Sequence, residues 1–282
     1  MTACAQVPVP PTHATDDFLS IDGTRLRYRD EGRGPVVLLV HGWTLDLEMW
    51  DLQVSALRGS FRLIRLDRRG HGLSEGTATP ERDSEDLNQL CKQLELTRVA
   101  LIGMSQGVRA VLGFASAAPS RVSAVILDGP PALASEADPE VPVQQYAALV
   151  RAHGIEAFRR EWARHSLMQL RTRDPARRAL LAAMIERYAG NDLRSAPSRG
   201  ELTGDGARVR PEAVAAPTLV LSGEHDLPGR RLAARQLAAR LPDAELAVIS
   251  GAAHLPNLDS PDAYSKLCRA FLLRHCGSRG PS

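Results

Sequence analysis

The chain has 282 residues, 44% hydrophobic and 24% charged, which is ordinary for a globular protein and long enough for one large α/β domain or a core with an insertion. A net charge of +2 speaks against a dedicated nucleic-acid surface. No apolar run approaches the ~20 residues that cross a bilayer, so no membrane partner is expected.

The N-terminal stretch "MTACAQVPVPPTHATDD" has neither a basic leader nor an apolar centre, so it does not read as a secretory signal. Residues 1–15 read instead as a proline-rich flexible arm. Next, "FLSIDGTRLRYRDEG" (18–32) alternates around Asp22-Gly23 and predicts a hairpin of two strands. "PVVLLVHG" (35–42) is a continuous apolar run, as for a strand buried on both faces. Apolar residues at helical spacing follow in "DLEMWDLQVSALRG", which stops at Gly59. "FRLIRLD" predicts a strand, "DSEDLNQLCKQLEL" an amphipathic helix, "RVALIG" a strand, "QGVRAVLGFASAAP" a helix and "RVSAVILDG" a strand.

The alternation then breaks. Residues 130–210 hold no convincing strand, only the helical stretches "VPVQQYAALVRAHG", "EAFRREWARHSLMQL" and "DPARRALLAAMIERYAG". It resumes with the strand in "APTLVLSGEHD", the helix "RRLAARQLAARL", the strand "AELAVIS" and a last helix from Pro261, with Ser260 at its N-cap. Strands and helices in this order predict a mostly parallel eight-stranded sheet flanked by helices. The core is expected over 16–129 and 211–277, with a helical cap over 130–210 inserted after strand 6.

Gly103-Met104-Ser105-Gln106-Gly107 is a G-x-S-x-G pattern between a predicted strand and a predicted helix. The glycines remove side chains that would collide in so tight a corner. The turn lifts the Ser105 hydroxyl above the sheet, at the positive end of the following helix. A glycine-rich turn in which Ser105 only caps that helix is the alternative, and two further features argue against it. A serine hydroxyl needs a base to become a nucleophile. Of the eight histidines, His254 lies in the loop between the last strand and the last helix, where open α/β sheets place their ligands. An acid must then orient the imidazole. Asp226 in "VLSGEHDLP" is favoured and Asp128 in "VILDGPP" competes, because both end strands on the same side of the sheet. Glu224 is a weaker contender on the Asp226 loop.

The order Ser105, Asp226, His254 with a serine elbow resembles the α/β-hydrolase superfamily. The blocks "HGWTLDLEMWDLQ", "RLDRRGHGLSEG", "GMSQG", "SGEHD" and "GAAHLPNLDSP" carry this resemblance across nearly the whole chain. The first two are similar to blocks of small esterases, enol-lactonases and cofactor-independent haloperoxidases. The resemblance implies a serine hydrolase of carboxylic esters or lactones, with backbone N–H groups of Trp43 and Gln106 as oxyanion donors. It implies no cofactor, and a small-molecule ester or lactone as the partner, with the protein a monomer or homodimer. It also implies that Asp67, Arg68 and His71 brace a loop and do not touch substrate. The Trp43 ring either walls the pocket or packs under the cap. Carbon–carbon bond hydrolysis of a vinylogous diketone and slow-turnover ligand reception are the rival readings; perhydrolysis is a side activity of the resembled group. Relatives that hydrolyse epoxides or haloalkanes place an aspartate where this chain has Ser105. The family often has a second glycine after the elbow, where this chain has Val108.

The four cysteines (Cys4, Cys91, Cys268, Cys276) show no CxxC spacing and no histidine cluster. They predict reduced thiols in a cytoplasmic protein, with neither a disulfide frame nor a metal site. Between Arg151 and Arg199 the predicted cap has eleven arginines against five acidic residues. This excess either recruits an anionic substrate or merely solvates the faces of arginine- and alanine-rich helices.

Overall fold

A computed structural model describes residues 15–133, 140–195 and 210–276. All of the predicted N-terminal arm except residue 15 lies outside the described residues, as do Cys4 and parts of the predicted cap.

The chain opens with strands β1 (Asp17–Ile21) and β2 (Thr24–Gly32). Asp22 and Gly23 join them, both with left-handed backbone (φ 48° and 74°), as a tight hairpin turn requires. Strand β3 (Val36–Val40) follows, then a 3-10 turn (Leu47–Trp50) leading into helix α1 (Asp51–Leu57) and strand β4 (Arg62–Leu66). Helix α2 (Asp83–Gln93), strand β5 (Val99–Met104), helix α3 (Gly107–Ala117) and strand β6 (Val122–Asp128) complete the first half. Among the described residues four helices come next: α4 (Val143–His153), α5 (Ile155–Trp162), α6 (Pro175–Arg187) and α7 (Asn191–Ser195). Strand β7 (Thr218–Gly223), helix α8 (Pro228–Arg240), strand β8 (Ala244–Ile249), helix α9 (Pro256–Asp259) and helix α10 (Pro261–Cys276) close the chain.

The strands form one eight-stranded sheet in the order β1-β2-β4-β3-β5-β6-β7-β8. The β1/β2 and β2/β4 pairs are antiparallel, and every pair from β4 to β8 is parallel. Side chains alternate across a strand, so β3 sends Val37 and Leu39 into one apolar layer and Leu38 and Val40 into the other. The first layer continues without a break from the sheet into Tyr146, Phe158, Trp162 and Met184 of the inserted helices. These helices are thus bonded to the core by burial, at about 1.5–3 kcal/mol for each large apolar side chain removed from water.

Two local differences from the sequence reading have clear causes. The helical stretch expected over 156–170 stops at Trp162, where the His165 ring accepts the Leu167 N–H (3.2 Å) and starts a separate 3-10 turn, Ser166–Met168. The loop expected before α10 contains the short α9, opened by Pro256 at its first position.

Several arginines of the helices between β6 and β7 are fastened to protein partners. Arg187 pairs with Asp46 (2.7 Å) and Glu48 (2.6 Å) beside the start of α1, and Arg177 donates to the Leu258 and Asp259 carbonyls. Arg159 donates to the Tyr188 carbonyl (3.0 Å) and to Glu156 (2.8 Å).

Candidate active site

Strand β5 ends at Met104 and α3 begins at Gly107, leaving Ser105 and Gln106 to make the whole turn. Ser105 has φ of 50°, a left-handed conformation that costs a non-glycine residue about 1–3 kcal/mol. Its N–H is held by the Asp128 carbonyl of the next strand, at 2.8 Å. The flanking glycines are sterically required. A Cβ at Gly107 would lie 2.6 Å from the carbonyl oxygens of Val40 and His41, and one at Gly103 would lie 2.8 Å from the Gly107 carbonyl oxygen.

The His254 ring reaches both neighbours expected of a base. Its Nε2 lies 3.2 Å from the Ser105 hydroxyl, and its Nδ1 lies 2.9 Å from Asp226 Oδ2 and 3.1 Å from Oδ1. Asp226 Oδ1 also accepts the Leu227 N–H at 2.7 Å, which fixes the carboxylate plane. Both His254 and Asp226 are buried. Gly129, with φ of 54°, lies flat against this pair: a Cβ there would come within 3.0 Å of His254 Cε1 and 3.6 Å of Asp226 Oδ2.

Asp128, the competing acid, has no hydrogen bond to His254. It is fully buried, and the side chain that faces its carboxyl is the Tyr264 hydroxyl, not the imidazole. Burial first, and then the neighbouring Asp226 charge, push its carboxyl well above the usual carboxylate range. Glu224 turns outward to Ser250 and the Gly251 N–H, both at 2.8 Å.

The two candidate oxyanion donors come from the segments on either side of the β3 and β5 strand ends, after β3 and before α3. Gln106 precedes the first turn of α3, and Trp43 follows β3 by way of Gly42, where a Cβ would be 3.3 Å from Ser105 Cβ. Neither backbone N–H has an acceptor among the described residues. Arg68 reaches across to the Gln106 side chain (2.9 Å) and to Asp83. The Arg68 N–H donates to His41 Nε2 (2.8 Å) while His41 Nδ1 donates to the Gly42 carbonyl (2.7 Å), so His41 is a neutral strut. Burial holds its pKa well below the ordinary histidine value, and that of His71 falls to about 4 for the same reason. Asp67 accepts the Leu47 and Leu73 N–H groups, each at 2.8 Å, and its carboxyl is pushed up to about 6, chiefly by burial. The block containing Asp67, Arg68 and His71 therefore braces the loops around the elbow.

A family model for the alpha/beta hydrolase fold matches residues 35–261. The chain belongs to the α/β-hydrolase fold family. Among its relatives is a Bacillus subtilis (strain 168) protein provisionally named 2-succinyl-6-hydroxy-2,4-cyclohexadiene-1-carboxylate synthase, 29% identical over 89% of this chain and 96% of that one. Among solved structures, a thermophilic esterase from Thermogutta terrifontis (malate bound) is 28% identical with a TM-score of 0.78, covering 93% of this chain and 99% of its own. The enol-lactonase from Burkholderia xenovorans LB400 is 28% identical with a TM-score of 0.74, covering 91% and 99%.

Within this α/β-hydrolase, Val108 replaces the frequent second glycine without crowding the elbow. It is fully buried in the apolar layer under α3, and the close approach of helix to sheet falls on Gly107. The Trp43 ring packs under the inserted helices, against Trp162 (5.0 Å) and Phe158 (5.6 Å). Three contributors were not found by motif. Asp259 joins the His254 loop to the inserted segment, accepting the Ala253 N–H (2.8 Å) and the Arg171 and Thr172 N–H groups (2.7 and 2.9 Å). Asp192 accepts the Trp43 indole N–H (2.8 Å), and Thr44 accepts that of Trp162 (2.7 Å). Their only sequence signal is a lone polar residue far from its partner. Cys91 and Cys268 are buried free thiols and Cys276 is half-buried. Among the described residues no helix is long and apolar enough to cross a membrane, and no cluster of His, Cys, Asp and Glu could hold a metal ion.

Proposed function

We propose that this α/β-hydrolase cleaves carboxylic esters or lactones of small molecules through an acyl-enzyme on Ser105. The observation that carries this is the unbroken chain from Ser105 Oγ through His254 (3.2 Å) to Asp226 (2.9 Å), set on a left-handed corner at the open end of the sheet. The likeness to an esterase and an enol-lactonase over nine-tenths of the chain supports the same bond type.

In this reading His254 Nε2 takes the hydroxyl proton as Ser105 Oγ attacks the carbonyl carbon. The carbonyl oxygen becomes an oxyanion between the Trp43 and Gln106 N–H groups, each worth about 3–4 kcal/mol when aimed at that charge. His254 then protonates the leaving oxygen, while Asp226 holds the imidazolium in place. A water molecule, deprotonated by the same histidine, attacks the acyl group and frees Ser105. No step requires a cofactor. The core covers 16–129 and 211–277, the intervening helices form a cap over the pocket, and the cysteine pattern agrees with a cytoplasmic setting.

Base uptake in a pH-stat tests the proposal across esters, lactones, thioesters and a vinylogous diketone, each against Ser105→Ala. Turnover of an ester or lactone that vanishes in the variant is the expected result. Turnover confined to the diketone would move the assignment to carbon–carbon bond hydrolysis, and silence across the whole panel would contradict it.

A further inference from the structure

The loop bearing the proposed Trp43 donor is held from outside the core. Trp43 and Thr44 follow β3 by way of Gly42, which lies beside Ser105, and Thr44 has a left-handed backbone (φ 64°) that a β-branched residue adopts only when something holds it there. Two reciprocal bonds do so. The Trp43 indole crosses to Asp192 on α7 (2.8 Å), and the Trp162 indole on α5 crosses back to the Thr44 hydroxyl (2.7 Å). The second oxygen of Asp192 accepts the Tyr188 hydroxyl. Tyr188 packs edge-on against Trp43 (5.9 Å) and is tied to α5 through its carbonyl and Arg159. Asp192 therefore joins two aromatic side chains that pack against each other.

We propose that Asp192 is a positioning residue for the oxyanion site. By holding the Trp43 indole it sets where the Trp43 backbone N–H points, so the inserted helices complete a site that the core alone leaves loose. This rests on the oxyanion role assigned to Trp43 above. Such a donor acts only as negative charge develops on the carbonyl oxygen, so losing its alignment lowers kcat with little effect on KM. Displacing a single donor costs about 100- to 1,000-fold when it is removed outright, and misalignment costs part of that.

The test is a double-mutant cycle on a neutral ester whose turnover is first shown to need Ser105. Asp192→Ala and Trp43→Phe are each expected to lower kcat about 10- to 100-fold with KM within about threefold. The double variant is expected to be no worse than the poorer single one, because both remove the same bond. Asp192→Asn keeps an acceptor oxygen for the indole and is expected to stay within about threefold of the wild type. Affinity for a trifluoromethyl ketone analogue of the substrate is expected to fall in parallel with kcat/KM. Multiplicative losses in the double variant, an unchanged kcat in the single variants, or a change in KM alone would overturn the assignment. Should Asp192→Ala not fold, Trp43→Phe reads the same bond, and an unchanged kcat there is equally contrary. If the wild-type protein turns over no ester at all, the hydrolase reading fails first, and the cycle distinguishes that outcome by its starting point.

Discussion

Replacing His254 with alanine is expected to lower kcat on the best ester about a million-fold, and Ser105→Ala about as far, with the double variant no worse than either. The reason is geometric. Ser105 Oγ has its proposed base, His254, at 3.2 Å, and His254 Nδ1 lies 2.9 Å from Asp226. Without the imidazole the hydroxyl has no acceptor for its proton, and without the hydroxyl the imidazole has nothing to activate. The proposed Trp43 and Gln106 donors are untouched in both variants, so a rate about 1,000- to 10,000-fold above the uncatalysed one should survive. Steady-state assays with each variant, backed by thermal melting curves close to the wild type, check this. A loss below tenfold in either single variant would remove Ser105 and His254 from the chemistry.

The two buried aspartates are expected to behave in opposite ways. Asp226→Asn should lower kcat about 10,000-fold. The Leu227 N–H already donates to Asp226 Oδ1 at 2.7 Å, so the asparagine oxygen takes that place and its amide nitrogen takes the Oδ2 place, 2.9 Å from His254 Nδ1. Nδ1 must then accept, Nε2 carries the proton, and the ring cannot take one from Ser105. Asp128→Asn should leave kcat within about threefold, since the Asp128 carboxyl makes no bond to the ring, while its carbonyl, which holds the Ser105 N–H, is unchanged. Its signature is in stability. Burial and the Asp226 charge raise the folded carboxyl well above its unfolded value. Between the two values the folded state binds more protons than the unfolded one, so stability declines as pH rises through that window. Asp128→Asn removes this decline, which urea titrations of both proteins at about pH 5 and about pH 8 would show as a flatter dependence. A large loss of kcat in Asp128→Asn beside a mild one in Asp226→Asn would reverse the assignment.

Much of the site was legible because each catalytic candidate sits at a strand end marked by its own local pattern. Gly103 and Gly107 announce a corner that no larger residue fits, and the clashes built at each position bear that out. The hairpin at Asp22-Gly23 and the strand alternation gave the sheet for similarly local reasons. The sequence favours Asp226 but leaves Asp128 open. Asp128 ends β6 and Asp226 lies just beyond the adjacent parallel strand β7, and periodicity says nothing about which side chain turns toward a histidine that lies far along the chain. What favours Asp226 is its contact with His254 Nδ1 at 2.9 Å, a three-dimensional fact. The attachment of the inserted helices was hidden for the same reason. Asp192 and Trp43 lie 149 residues apart, and nothing around Asp192 distinguishes it from a solvated helix residue. Arginine counts were equally mute, because Arg187 and Arg177 differ from their neighbours only in what they meet.

The most direct single measurement is the mass of the intact protein, quenched within its first turnovers on an activated aryl ester chosen to deacylate slowly. A gain of one acyl group, mapped by peptide sequencing to Ser105 and absent from Ser105→Ala, is the predicted result. Continued ester turnover with no adduct, or an adduct on any other residue, would contradict acyl transfer to Ser105.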